Sequence, residues 1–124
     1  MIPRYRAWLK EDKEIIDVEE IHFYNGEFDF IGDAITWMCK SNDCVLMQST
    51  GLRDKGGKEI FEGDIVKMAK NVYSEPTYYE VVRYRGGAYR LESKRYVCEL
   101  WLRHTDCEIA GNIWENPELL EVGS

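Results

Sequence analysis

Apolar and polar residues alternate over short stretches along this chain, and glycine-rich or charged turns separate the stretches. A two-residue period is typical of strands that bury one face. The pattern predicts strands over Arg4–Leu9, Ile15–Tyr24, Val45–Ser49, Ile65–Ala69, Thr77–Arg85, Ala88–Glu92 and Cys107–Trp114. Several short strands joined by turns predict a mainly β protein.

The dipeptide Asn25-Gly26 predicts a β-hairpin with a two-residue type I′ turn, in which both residues need positive φ. If Tyr24 faces Glu27 across this turn, Phe23 meets Phe28 and Ile21 meets Phe30 on one apolar face. On the other face His22 then lies opposite Asp29, which accounts for this histidine as one member of a polar cross-strand pair.

A second hairpin is predicted around Gly86-Gly87. With these two residues as the turn, Tyr84 faces Tyr89 and Val82 faces Leu91, which gives a face suited to a core. The opposite face then brings Arg83 against Arg90, with Arg85 beside them. Like charges directly opposed on a sheet destabilise the pairing. Either carboxylates of the chain neutralise this face, or it binds an anionic partner.

Some segments allow two interpretations or none. Gly32–Asp43 is either one helical turn or a covering loop, and the spacing of Tyr96–His104 suits a short helix, although Val97–Leu102 also suits a strand. The loops are predicted over Thr50–Lys58 and Asn71–Pro76. Asn116-Pro117-Glu118 has the N-cap, first-turn proline and acidic residue that typically start a short last helix.

Composition places the chain among globular proteins. It has 124 residues, 44% of them hydrophobic and 31% charged, which predicts a single domain over 1–124. The apolar runs are far shorter than the ~20 residues that cross a bilayer, and no signal peptide is evident, so we expect an intracellular protein without membrane contact.

The net charge of −7 is unevenly distributed. Residues 1–44 hold 5 Lys/Arg against 10 Asp/Glu, residues 45–95 hold 10 against 7, and residues 96–124 hold 1 against 6. The overall negative charge argues against a protein whose main role is to bind nucleic acid. The basic segment 45–95 still allows a local contact with an anionic partner.

No catalytic or metal site is predicted. Cys98, His104 and Cys107 lack the close cysteine pair of a structural zinc site, even if Cys39 and Cys44 are added. There is no Gly-x-Ser-x-Gly elbow, and Gly56-Gly57 and Gly86-Gly87 lack the lysine and helix of a phosphate-binding loop. We therefore expect no enzyme activity and no cofactor.

Three stretches carry a resemblance to a known family. The segment from Leu46 to Val66, which contains Thr50-Gly51-Leu52-Arg53-Asp54 and Phe61-Glu62-Gly63-Asp64, resembles the central motif of the YopX family of phage- and prophage-encoded proteins. Ile2–Trp8 resembles its amino-terminal strand, and Ile109–Leu120 resembles its carboxy-terminal motif. Ser49 stands where the family pattern suggests an aromatic residue.

The resemblance implies a small SH3-like barrel over residues 45–120, which ends in a strand and a short helix. Residues 1–31 would add amino-terminal strands and a β-hairpin, while residues 32–44 match no motif. It implies no activity, because small barrels host many functions. The Gly, Asp and Lys residues of the 50–64 loop favour an architectural role over a binding site.

Two functional hypotheses remain. The first is a non-enzymatic module that binds a host or phage protein, or itself, in the bacterial cytoplasm through Trp37, Trp101 and Trp114. The alternative is a barrel that binds nucleic acid through the basic hairpin face, with stacking by an aromatic residue. Its contact residues would be Arg83, Arg85, Arg90, Lys94, Arg95 and Tyr96.

Overall fold

The computed structural model describes residues 4–69 and 73–121. Ile2 and Pro3 of the amino-terminal motif and positions 71–72 of a predicted loop lie outside this description. The chain is mainly β, with antiparallel sheets that curl into a half-barrel and only short helices, which confirms the predicted fold class. It divides into two compact units, residues 1–48 and 49–124; the single domain over 1–124 stays a prediction.

Unit 1 contains two antiparallel groups of strands. The strands are β1 Tyr5–Leu9, β2 Glu14–Val18, β3 Ile21–Tyr24, β4 Glu27–Gly32, β5 Met38–Lys40 and the first half of β6, Cys44–Arg53. β1 lies between β2 and β6, while β4 lies between β3 and β5. A single 3₁₀ turn, Ser41–Asp43, leads into β6. Ala7, Leu9, Ile31 and Cys44 form the buried core of this unit.

Unit 2 is built on a five-stranded antiparallel sheet. Its elements are β7 Glu59–Phe61, β8 Asp64–Met68, β9 Thr77–Tyr84, β10 Ala88–Glu92, β11 Val97–Glu99, α1 Leu100–Arg103 and β12 Glu108–Asn112, with 3₁₀ turns at Arg85–Gly87, His104–Asp106 and Pro117–Glu121. The order within the sheet is β11-β10-β9-β8-β12. Val66, Val81, Leu91, Leu100 and Cys107 are fully buried in its core.

Several segments differ from the predicted ones in their details. Residues 96–104 contain both alternatives, because the strand β11 runs directly into the single turn of α1. The predicted strand Ile15–Tyr24 is interrupted, and β6 continues to Arg53 instead of ending at Ser49. The last short helix is present as the 3₁₀ turn that begins at Pro117.

The first hairpin has the predicted turn but only part of the predicted register. Asn25 and Gly26 have φ of 51° and 81°, and Phe23 lies opposite Phe28. A register shift between His22 and Phe23 then places Ile21 opposite Ile31 and His22 opposite Phe30. The predicted pairs Ile21–Phe30 and His22–Asp29 are therefore wrong, because a β-bulge adds one residue to one strand.

The second hairpin is displaced by one residue from its predicted register. Its turn has three residues, Arg85–Gly87, rather than two. Tyr89 lies opposite Arg83, and Arg90 lies opposite Val82. The predicted pairs Tyr84–Tyr89, Val82–Leu91 and Arg83–Arg90 are therefore wrong. Because side chains alternate between faces, a slip of one residue puts Arg83 and Arg90 on opposite faces of the sheet.

Candidate functional site: the Trp37 loop

The most distinctive surface feature of unit 1 is the Trp37 loop, Asp33–Met38, which connects β4 to β5. Its conformation is fixed by one side chain: Asp33 Oδ1 accepts hydrogen bonds from the backbone N–H groups of Ile35 (2.9 Å), Thr36 (2.8 Å) and Trp37 (3.1 Å). Asp33 Oδ2 accepts a fourth bond from the Thr36 hydroxyl, at 2.5 Å. Aspartate is favoured in turns because its carboxylate can replace a backbone acceptor in this way.

These four hydrogen bonds also fix the charge of Asp33. The bond from the Thr36 hydroxyl, followed by those from the three backbone N–H groups, holds the pKa of Asp33 well below its ordinary value. The loop therefore carries a carboxylate whose acceptor sites are already occupied by the loop itself. Asp33 acts here as a positioning residue for the side chains that follow it.

Trp37 packs against the backbone of Gly32 at the start of the loop. A Cβ atom on Gly32 would overlap Trp37 O and Trp37 Cε3 and would lie 2.9 Å from Met38 Cα. Gly32 also has φ +103°, a conformation that side chains rarely adopt. Glycine at this position is therefore required by both the backbone and the indole.

The loop presents apolar side chains to solvent. Ile35 is 90% exposed, Trp37 45% and Met38 42%. Cavities of about 530 Å³ and 420 Å³ in unit 1 both include Leu9, Asp12 and Trp37 in their walls. Trp37 thus borders two concave surfaces. A large apolar side chain, held in place and half exposed beside a cavity, has the geometry of an anchor for a binding partner.

The other two predicted tryptophans lie in unit 2. Trp101 is 63% exposed on α1, and Tyr96, Val97 and Leu102 nearby are each about half exposed or more. Trp114 is only partly buried, and its backbone N–H donates to Asn112 Oδ1 at 3.0 Å. None of the three predicted tryptophans is fully buried within its unit, although only Trp37 borders the two cavities of unit 1.

The structure separates two members of the predicted basic cluster, because Arg83 and Arg90 lie on opposite faces of the sheet. Arg83, Arg85, Lys94, Arg95 and Tyr96 are exposed, whereas Arg90 is half buried. Arg90 Nε lies 2.5 Å from Glu92 Oε2, and the Arg90 guanidinium stacks over the Tyr84 ring at 4.8 Å. Arg90 is therefore neutralised from within the hairpin, and the opposed arginine pair that motivated an anionic partner is not formed.

A different basic site appears at a cavity of about 470 Å³ in unit 2. Arg95 and Arg103 line it together with Tyr79 and Tyr96. The Arg95 guanidinium lies 6.0 Å from the Tyr96 ring centroid, and Arg103 Nε forms an ion pair with Asp106 Oδ2 at 3.1 Å. Arg95 is the cation of this cavity that could meet an anion beside a tyrosine ring, since Arg103 is paired with Asp106 and Glu75 also lines the wall.

Cys107 and His104, which are residue types that metal sites use, have other contacts in the structure. Burial raises the pKa of Cys107 to about 12, and Cys107 Sγ donates to Arg103 O at 3.2 Å. His104 Nδ1 lies 2.8 Å from Arg53 O. No group of three His, Cys, Asp or Glu side chains is arranged to hold a metal within residues 4–69 and 73–121. Over the same residues, no helix has the length and apolarity needed to span a bilayer.

Sequence reasoning named Trp37 but missed the role of Asp33. The local signal was present, because an aspartate two to four residues before backbone N–H groups, with a threonine at i+3, is typical of a side-chain-stabilised turn. The exposure of Ile35 and the close approach of Gly32 to Trp37 depend on the conformation of the loop. No sequence pattern would have indicated them.

Curled antiparallel sheets with few short helices place the chain in the class of small half-barrel β proteins. The family model described as YopX protein matches residues 4–121. The chain therefore belongs to the YopX family, as the three motifs indicated.

Two solved structures are similar to this chain over nearly its whole length. The crystal structure of protein EF1440 from Enterococcus faecalis is 31% identical, with a TM-score of 0.66, and the match covers 97% of this chain and 99% of that one. The structure of protein yopX from Bacillus subtilis is 23% identical with a TM-score of 0.70, and the match covers 100% of both chains; this second likeness shows the fold alone. None of the curated proteins matches the chain.

Proposed function

We propose that this chain is a non-enzymatic protein-interaction module that binds a partner through the Trp37 loop. The observation that carries the proposal is the exposure of Ile35, Trp37 and Met38 on a loop that Asp33 holds in one conformation. Exposing ordered apolar side chains to water costs free energy, so such a surface is typical of interaction sites. A loop that is already ordered also loses less conformational entropy on binding.

The partner is a protein of the phage or of its host in the bacterial cytoplasm, as the family resemblance suggests. The test uses the full chain, tagged, as bait in a lysate of the host, with quantitative mass spectrometry of the captured proteins. We expect at least one protein to be enriched with the wild type and to fall roughly tenfold with Ile35→Ser/Trp37→Ala, since anchor side chains dominate binding. Trp101→Ala is the matched control, because it removes an exposed tryptophan from unit 2.

Two results would contradict the proposal. One is the absence of any protein enriched above the empty-bait level. The other is a captured protein whose recovery is unchanged in the Ile35→Ser/Trp37→Ala variant or falls equally with Trp101→Ala. Thermal unfolding of both variants confirms that any loss does not reflect misfolding.

Nucleic-acid binding is the second candidate, and the cavity lined by Arg95, Arg103 and Tyr96 favours it. A fluorescein-labelled single-stranded oligonucleotide titrated at several salt concentrations tests it. We expect affinity to decrease with salt and to weaken with Arg95→Gln or Arg103→Gln but not with Lys13→Gln, which removes the same charge from unit 1. Absence of binding, or equal weakening by all three variants, would remove this candidate.

A further inference from the structure

The larger cavity beside Trp37 combines an apolar floor with an acidic rim. Ile16 and Val18 of β2 form the floor together with the Trp37 indole, and the cavity measures about 530 Å³. Its remaining polar walls are carboxylates, contributed by Asp12, Glu14, Asp17, Glu19, Glu20 and Asp33. We refer to this cavity as the acidic groove. No lysine, arginine or histidine is among the residues described as lining it.

The carboxylates of the acidic groove are not equally available. Asp33 is occupied by the Trp37 loop, Glu20 lies 3.2 Å from His22 Nε2, and Asp17 lies opposite Arg6 on β1. No salt bridge within the described residues 4–69 and 73–121 engages Asp12, Glu14 or Glu19. The rim therefore presents the carboxylates of Asp12, Glu14 and Glu19, which form no ion pair within 4 Å among the described residues of unit 1.

This combination distinguishes among occupants. A purely apolar segment would fit the floor but would bring no charge to the rim, and an anionic ligand would be repelled. The groove therefore suits a ligand that has both an apolar surface and a positive charge. Lysine and arginine side chains suit it, since their aliphatic stems cover apolar surface while their charged ends stay at the rim.

From this charge complementarity we propose that the acidic groove binds a lysine- or arginine-bearing segment of the partner protein, with the aliphatic stem of a basic residue against Ile16, Val18 and Trp37. Because Glu14 and Glu19 lie at opposite ends of β2, one cation of the segment meets the Glu14 carboxylate and a second meets that of Glu19. The Trp37 ring adds a cation–π contact to one of them. The inference rests on the proposed function and specifies the chemistry of the partner. Ile35 and Met38 would contact the apolar residues that flank the basic one.

The test measures binding of a short fluorescein-labelled peptide of alternating lysine and glycine to the full chain by fluorescence anisotropy. We expect Glu14→Gln/Glu19→Gln to weaken binding roughly fivefold to tenfold, since each exposed ion pair contributes only modestly. Glu27→Gln/Asp29→Asn is the matched control, because it removes two exposed charges from the β3–β4 hairpin of the same unit. We expect this control to weaken binding less than roughly twofold, through net charge alone.

A third variant, Trp37→Phe, separates the indole from the charges. We expect it to weaken binding less than the Glu14→Gln/Glu19→Gln variant does, because phenylalanine keeps a smaller cation–π surface. The proposal is overturned if the lysine peptide does not bind, if a glutamine–glycine peptide binds equally well, or if both double variants weaken binding to the same extent. Thermal unfolding of every variant checks that the fold is retained.

The captured partner distinguishes this proposal from the broader one. If recovery falls with Ile35→Ser/Trp37→Ala but not with Glu14→Gln/Glu19→Gln, the interaction module stands and the basic occupant is wrong. If neither variant reduces recovery, both proposals fail. A second copy of the chain as occupant would instead appear as a concentration-dependent rise in mass by light scattering that Glu14→Gln/Glu19→Gln abolishes, and that result would also overturn the proposal.

Discussion

Asp54 and Ile109 are joined by a hydrogen bond of 3.0 Å from the backbone N–H of Ile109 to Asp54 Oδ2, across 55 positions of the chain. Asp54 Oδ1 also accepts from the N–H groups of Gly56 and Lys58, both at 2.9 Å. A single buried carboxylate thus shapes the central family motif and ties it to the carboxy-terminal motif. These contacts support the architectural role predicted for the 50–64 loop.

We expect Asp54→Asn to lower the free energy of unfolding by about 1–3 kcal/mol at neutral pH. Asparagine offers one carbonyl acceptor, so either Ile109 or the pair Gly56 and Lys58 loses its partner. Chemical denaturation followed by circular dichroism measures the loss. Asp106→Asn, which breaks only the exposed ion pair with Arg103, should change the free energy of unfolding by less than about 0.5 kcal/mol.

The effect of Asp54→Asn should depend on pH. Burial alone would raise the pKa of Asp54, but the N–H groups of Ile109, Lys58 and Gly56 outweigh it and hold the pKa below the ordinary 3.8. Stability from this carboxylate is therefore present above pH 3.8 and lost as the pH falls through the lowered pKa. The difference between wild type and variant should narrow in that acid range, and a constant difference would contradict this explanation.

A like-charge pair on the second hairpin should destabilise the fold at neutral pH, whereas the Asp54 carboxylate stabilises it. Glu80 lies directly opposite Glu92 on neighbouring strands, and burial, followed by the charge of Glu92, raises the pKa of Glu80. The folded state then favours the protonated form of Glu80. Its contribution to stability is therefore fully present below the ordinary pKa of 4.5 and is lost as the pH rises through the raised pKa of the folded state. Ionised Glu80 therefore destabilises the fold at neutral pH.

We expect Glu80→Gln to raise the free energy of unfolding by about 0.5 kcal/mol at neutral pH, since it removes an opposed charge pair on the sheet. The gain should shrink as the pH falls and should disappear well below pH 4.5, where Glu80 is protonated in both the folded and the unfolded state. Denaturant titrations at both pH values measure it. Glu27→Gln, at an exposed position of the first hairpin, should give no gain, and an equal gain there would point to net charge instead.

Gly32→Ala should displace Trp37. The added Cβ would overlap the tryptophan, so we expect a loss of about 1–3 kcal/mol from overpacking in addition to about 1 kcal/mol for the positive φ. Trp37 emission should shift as the indole moves. Gly26→Ala is the matched control, because its φ is +81° and its Cβ would meet nothing within 4 Å. Equal losses in the two variants would mean that backbone conformation alone requires Gly32.

Asp33→Ala should loosen the Trp37 loop while leaving the strands intact. Without the carboxylate, the N–H groups of Ile35, Thr36 and Trp37 lose their acceptor, and we expect their hydrogen exchange to accelerate roughly tenfold. Asp33→Asn keeps the Oδ1 acceptor and should preserve most of this protection. Exchange measured by NMR tests both variants, and unchanged protection in Asp33→Ala would show that other contacts hold the loop.

The buried thiols should resist alkylation in the folded protein. Burial raises the pKa of Cys44 and of Cys107 to about 12. At mildly alkaline pH we expect both to react with iodoacetamide roughly a hundredfold more slowly in the folded state than in the unfolded state, since the thiolate is the reactive form. Mass spectrometry of digested samples locates the labels. Rapid labelling of Cys107 under native conditions would contradict its burial.

The sequence predicted most of the strands and both hairpins, but only part of the registers. It missed β7, and it missed β5, which lies where a helical turn or a loop was predicted. The period of two located β9 and β10, yet it could not show that Arg85 belongs to the turn, because turn length depends on backbone geometry that several sequences share. That single residue places Arg83 and Arg90 on opposite faces of the sheet rather than on the same one. Likewise, Asn25-Gly26 specified its turn, while the bulge at His22 allows Ile31 to reach the core.

The candidate site was predicted only through Trp37. Asp33 and Gly32 lie in the stretch 32–44, for which the sequence pattern left a helical turn and a covering loop open and the family resemblance offered no motif. Their roles depend on a carboxylate that satisfies its own loop and on a close approach between two backbones. Both features are local, but they carry no hydrophobic period from which a sequence pattern could reveal them.

In the Trp37 loop, the residues that hold the backbone conformation are different from the residue that is most exposed to solvent. Asp33 and Thr36 supply the bonds that hold the turn, whereas Ile35 points almost entirely to water. Substitutions at position 35 can therefore alter which proteins are recognised at little cost to folding. Related chains that keep the Asp33 and Thr36 bonds can therefore bind different partners by substituting one or two exposed side chains of this loop.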